Sequence, residues 1–228
     1  LADIKGRPVN LVEFSVSHYL LARALESAGL KPTDIKTVNT SDADIVASFN
    51  AADTKALVTW NPQLSEVKKL KGATEVFDSS KIPGEILDTL VVSTDALNSN
   101  LNLGKALAGI WYETMSVMSA QTPEGEAARK TMGELSGTDL AGYEAQLKTT
   151  YMYYKPADAL AFVRSPDLAA GLERVRQFSF ANGLFGQGAK SVDDIGITVP
   201  GGKTLGGETN VKLRFVDTYM AEAAAGTL

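Results

Sequence analysis

Val9-Asn10-Leu11-Val12-Glu13-Phe14-Ser15-Val16-Ser17-His18-Tyr19-Leu20-Leu21 sets an apolar run directly before an amphipathic one. Val9, Leu11, Val12 and Phe14 predict a strand over 9–14. From Leu20 the apolar residues Leu21, Ala24, Leu25 and Ala28 fall three and four apart, the spacing of a buried helical stripe. Gly29 supplies a left-handed stop and Pro32 follows it.

The same alternation continues outward. A short strand is expected over 35–38, and Ser41 with Asp44 three residues on has the form of a capping box opening a second helix. Residues 56–60 predict a third strand, Pro62 opens a third helix at a position proline tolerates, and 74–77 predict a fourth strand. Strands separated by helices argue for a parallel sheet covered on both faces. After Leu90-Val91-Val92 the pattern turns helical from Leu101 onward. Leu103, Leu107, Ile110, Trp111, Met115 and Met118 mark one long helix, and others are expected at 139–147, 157–164, 166–181 and 217–225. The glycine-rich stretch 183–210 predicts a hairpin or loop. The expected division is an α/β lobe over 1–90 and a mostly helical part over 91–228.

Composition narrows the function. The 228 residues carry a net charge of −5, which repels phosphate backbones and argues against a nucleic-acid partner. With no cysteine there are no disulfides, thiolate metal sites or cysteine nucleophiles, and the single histidine, His18, leaves a zinc site short of its commonest neutral ligand. No metal or cofactor is expected. No apolar run reaches the roughly 18 residues of a membrane span. Gly201-Gly202-Lys203-Thr204 lacks the upstream glycine of a phosphate loop, since Gly196 stands one residue too early. His18 has no nucleophile elbow to serve, so no catalytic residue is assigned.

Three stretches are candidates for ligand contact. Ser15, Ser17, His18 and Tyr19, with Glu13 before them, stand where a strand gives way to a helix, a place that suits a polar ligand group. Trp60 and Asn61 repeat that position after the third strand, offering a flat apolar wall beside an amide. Ser79 and Glu85 follow the expected fourth strand, and Glu13 or Glu85 has the charge to pair with a cation. Each has a plainer reading: Ser17 capping its own helix, Trp60 a partly buried ring beside a helix-opening Asn-Pro pair, and Ser79 and Glu85 a solvated loop.

With these residues in view, the chain resembles the periplasmic solute-binding proteins of nitrate/sulfonate/taurine-type ABC importers, and within them the branch associated with urea carboxylase. The likeness rests on Leu1-Ala2-Asp3-Ile4-Lys5-Gly6-Arg7, Ser15-Val16-Ser17-His18-Tyr19-Leu20-Leu21, Val58-Thr59-Trp60-Asn61-Pro62-Gln63-Leu64 and Asp78-Ser79-Ser80-Lys81-Ile82-Pro83-Gly84-Glu85. It implies a type II periplasmic-binding-protein fold of two lobes, with Asp3-Ile4-Lys5-Gly6 at the entry to the second. The first lobe's N-terminal strands and a signal peptide are then expected upstream, and a return strand to the first lobe is expected over 88–93. It further implies a monomeric periplasmic protein that delivers a small solute to an inner-membrane ABC permease. The branch implies urea, guanidine or a similar nitrogen compound. The alternative on the same fold is an enzyme related to thiamine-pyrimidine or menaquinone biosynthesis.

Overall fold

The computed structural model describes residues 1–100 and 102–228, so Leu101, where the helical expectation begins, lies outside the described residues. The chain forms two compact units, Leu1–Ile86 and Leu87–Leu228.

In the first unit, β1 (Pro8–Leu11) leads into α1 (Val16–Ser27), β2 (Lys36–Asn39) into α2 (Asp42–Ser48), and β3 (Ala56–Leu57) into α3 (Gln63–Lys69). The strands lie in the order β2-β1-β3, all parallel, with Asn10 opposite both Val38 and Leu57. Val9 and Leu11 on β1 pack with Leu21 and Leu25 on α1, so the stripe read from the sequence is the face that meets the sheet. Burying each leucine is worth about 1.5–3 kcal/mol. Asn10, 8% exposed, is the polar exception: its Nδ2 donates to Thr40 Oγ1 at 2.9 Å and its Oδ1 accepts from Thr54 Oγ1 at 3.5 Å.

Several expectations change here. The third strand stops at Leu57, although Val58 N still donates to Asn10 O at 2.8 Å. The fourth strand is absent over 74–77: Val76 is 64% exposed and Glu75 pairs with Lys68 of α3 at 2.6 Å, so the stretch lacks a buried face. Ser41 does stand before α2, but its hydroxyl donates to the Asp44 carboxylate at 2.6 Å rather than accepting a backbone N–H. A single turn of 3-10 helix, Ser79–Lys81, is capped by Asp78, whose carboxylate accepts from Ser80 N at 2.7 Å.

The second unit holds α4 (Thr94–Ser99), α5 (Leu103–Ser119), α6 (Pro123–Leu135), α7 (Leu140–Leu147), α8 (Pro156–Val163) and α9 (Pro166–Ala181). A small sheet of β4 (Gly196–Thr198), β5 (Thr204–Leu205) and β6 (Val211–Arg214) follows, then α10 (Thr218–Ala225). β4 and β5 form the expected hairpin, whose turn places Gly201 and Gly202 at φ of +87° and +84°, values glycine adopts freely. Its core gathers Leu168 and Leu172 of α9 with Ile197 and Leu205 of the sheet. The return strand expected over 88–93 does not form; Leu90 and Val91 are exposed and no neighbouring strand offers them a ladder among the described residues.

The helices α4 and α6 escaped the periodicity. In α6 the buried positions are Gly125, Arg129 and Gly133, four residues apart, which carry no apolar signal. A Cβ on Gly125 would overlap Ala120 O, and one on Gly133 would press on Asp139 O and Tyr143, so the glycines let α6 approach its neighbours closely. The available signal was local: Thr122 before Pro123, with the threonine hydroxyl accepting from Gly125 N at 3.2 Å.

Candidate functional site

Three parallel strands send their carboxyl ends to one edge of the sheet, and in parallel α/β sheets that edge holds the ligand groups. From β1 come Glu13, Ser15, Ser17, His18 and Tyr19; from β3, paired directly beside it, come Trp60 and Asn61. Sheet topology therefore brings these two stretches to a shared edge. Ser79 is exposed and heads the separate 3-10 turn, where its carbonyl accepts from Ile82 N at 3.1 Å.

Ser15, not Ser17, is the N-cap of α1. Its Oγ donates to Val12 O at 2.6 Å and accepts from Ser17 N at 3.1 Å, while its carbonyl accepts from His18 N and Tyr19 N. Ser17 itself is 2% exposed. The helix's opening amides at 17, 18 and 19 are thus already engaged by Ser15, which lowers the value of this terminus as an anion cradle.

Phe14 is the one non-glycine residue with positive φ, 62°, among the described residues. That left-handed backbone costs an ordinary side chain about 1–2 kcal/mol. It is held by a hydrogen bond from Phe14 N to His18 Nδ1 at 3.1 Å, with the two rings 5.6 Å apart. Accepting that bond requires an unprotonated Nδ1, so neutral His18 carries its proton on Nε2. Burial lowers the His18 pKa, opposed by the Glu13 carboxylate.

Because its folded pKa lies below the unfolded value of about 6.5, His18 contributes stability that is fully present above the unfolded value and lost as pH falls from there through the folded pKa. Thermal unfolding followed by circular dichroism between pH 7.5 and pH 5 is expected to show a steeper fall in Tm for wild type than for His18→Asn. Equal slopes would remove His18 from the acid response.

The carboxylates expected to meet a cation are engaged within the unit. Glu13 Oε1 accepts from Thr37 Oγ1 at 2.5 Å, and Glu13 N donates to Asn39 Oδ1 at 3.1 Å, tying the end of β1 to β2. Glu85 Oε2 accepts from Tyr19 OH at 2.6 Å and Arg23 Nε at 2.7 Å, and its Oε1 accepts from Arg23 Nη2 at 3.1 Å. The Glu85 side chain is 8% exposed, and its bonds to Arg23 raise the guanidinium pKa. Asn61 Oδ1 accepts from Ser65 Oγ at 2.7 Å, steadying the first turn of α3 across a cis Asn61-Pro62 bond.

Sequence reasoning missed three groups at this edge. Asp42 Oδ1, Thr59 Oγ1 and Gln63 Oε1 are buried without a hydrogen-bond partner. Asp42 opens α2 just after β2, Thr59 follows β3, and Gln63 opens α3. Only their position after strand ends distinguishes them in the sequence.

Residues 1–109 match the family model described as NMT1/THI5 like. Within the chain, a stretch of 82 residues is 39% identical to the putative aliphatic sulfonates-binding protein of Escherichia coli K12, and 122 residues are 27% identical to its taurine-binding periplasmic protein. The chain spans 26% and 36% of the lengths of those relatives. Among solved structures, the periplasmic aliphatic sulphonate-binding protein SsuA of E. coli superposes with a TM-score of 0.62 at 21% identity. The alkanesulfonate-binding SsuA of Xanthomonas axonopodis pv. citri, bound to MOPS, gives 0.59 at 19%. Each comparison covers 80% of this chain and 60% of the other. The structural likeness shows the type II periplasmic-binding-protein fold.

Proposed function

We propose that the chain is part of a periplasmic solute-binding protein of an ABC importer, in which residues 1–86 belong to the second lobe and 87–228 to the first. The whole protein closes its lobes on a small polar solute and presents it to an inner-membrane permease. The observation that carries this reading is the pairing of β1 with β3, which delivers Ser15–Tyr19 and Trp60–Asn61 to the same sheet edge. The relatives and the shared fold support a binding role, and the one histidine at this edge, His18, has its Nδ1 occupied by the Phe14 backbone N–H.

The solute is a compact nitrogen compound of the urea or guanidine type, as expected of the urea-carboxylase-associated branch. Two features favour it over a sulfonate. The α1 amides that would hold an anion are engaged by Ser15, and two of the unpartnered atoms at the edge, Asp42 Oδ1 and Gln63 Oε1, are acceptors that suit N–H donors.

Thermal shift and isothermal titration of the whole protein with urea, low-millimolar guanidinium chloride, nitrate, taurine and an alkanesulfonate test both levels. A ligand at 100 times its Kd raises stability by about 2.7 kcal/mol. Urea or guanidinium is expected to raise Tm. A rise with taurine or the alkanesulfonate alone would overturn the nitrogen specificity, and no rise with any solute would overturn the binding role.

A further inference from the structure

Phe14 is costly in two ways that folding does not repay. A glycine would take its left-handed backbone freely, yet the position carries a bulky ring that remains 54% exposed. Beside it Val16 is 51% exposed, so the β1–α1 turn presents an apolar lip at an edge that also carries hydroxyls, amides and carboxylates. The ring is not loose. Its backbone is pinned through Phe14 N to His18 Nδ1, and its face tilts 49° against the imidazole at 5.6 Å. A fixed, half-open aromatic face beside polar groups is what a small planar solute requires: one surface to lie against and acceptors at its rim.

We propose that Phe14 is a ligand-contacting residue whose ring forms the flat wall of the solute site and selects planar N–H compounds, guanidinium above urea. The proposal rests on the solute-binding reading of this edge and names the residue that sets its specificity. Guanidinium gains from the ring's negative face, whereas the tetrahedral sulfonate group of taurine has no flat face to lay on it. His18 is the positioning residue: its Nδ1 keeps Phe14 in the left-handed conformation that directs the ring.

The test compares wild type, Phe14→Gly, Phe14→Ala and Phe14→Tyr in the whole protein, with guanidinium chloride, urea and taurine as probes at pH 7.5. Two readouts are taken, the Kd by titration and the Tm without ligand. Phe14→Gly is expected to leave Tm unchanged or higher, because the backbone strain is relieved, while weakening guanidinium binding about 5- to 30-fold. Phe14→Ala should weaken binding similarly, and Phe14→Tyr should retain it. A Tm that falls by several degrees in Phe14→Gly would make the ring structural and overturn the proposal. So would unchanged guanidinium affinity in Phe14→Gly, or taurine bound equally by all four proteins; in both cases the solute-binding reading itself survives. If no probe binds any of the four proteins, both readings fall.

Discussion

Arg129→Ala is expected to lower the stability of the second unit by about 3–5 kcal/mol. The side chain is 7% exposed on α6 and serves three partners. Its Nη1 donates to Met118 O at 3.0 Å and Ala120 O at 2.8 Å, and its Nε donates to Glu144 Oε1 of α7 at 3.0 Å. The first two are carbonyls at the end of α5, where a helix has no partners of its own and where the dipole favours a cation. Removing the guanidinium strands both carbonyls and opens a cavity between three helices. In a unit of this size the loss corresponds to a Tm lower by on the order of 10 °C, readable by calorimetry. Glu144→Ala should cost far less, because that carboxylate is 40% exposed and rehydrates. A fall in Tm as large for Glu144→Ala as for Arg129→Ala would mean that the ion pair, not the carbonyl cap, carries the effect.

Arg176→Ala is the second, at about 2–4 kcal/mol. Arg176 on α9 is 3% exposed; its Nη2 donates to Val192 O at 2.6 Å and Asp193 Oδ1 at 3.0 Å, and its Nη1 to Glu173. It thereby fastens the turn that leads into β4. Gly206, at φ +80°, stands directly over the guanidinium, where a Cβ would overlap both Arg176 and Ile195 O. Both carboxylate partners keep contact with water, so the loss comes from one carbonyl and the emptied volume, which sets the estimate below that for Arg129. Amide exchange at Ile197 and Thr198 should accelerate along with the drop in Tm. Unchanged exchange there would confine the arginine's role to α9.

Both arginines show where the sequence falls silent. Leu21, Leu25 and Val9 declared themselves by spacing, because an apolar face leaves a period. The face Gly125-Arg129-Gly133 leaves none, since two positions are defined by missing atoms and the third by a charge. At the carboxyl edge of the first sheet the strand-to-helix turns at Ser15–Tyr19 and Trp60–Asn61 were legible, being fixed by local order of elements. What was not legible is which polar groups are already engaged. Glu85 meets Arg23 across more than sixty residues, and Glu13 meets Thr37 across a strand boundary, pairings that no spacing rule encodes. Phe14 was read as one more apolar strand residue; its left-handed turn depends on the side chain of His18, which propensity does not anticipate.

Asn10 has a consequence for how the sheet keeps its alignment. Parallel strands buried on both sides are lined by interchangeable aliphatics, so hydrophobicity alone tolerates sliding. An amide in mid-strand that reaches a threonine beyond β2 and another ahead of β3 makes sliding an all-or-none event: a slip by one residue turns it to the opposite face and breaks both bonds together. The polar residue buried in the sheet thus acts as its index mark, holding three short strands in the one alignment that sends their ends to a common rim.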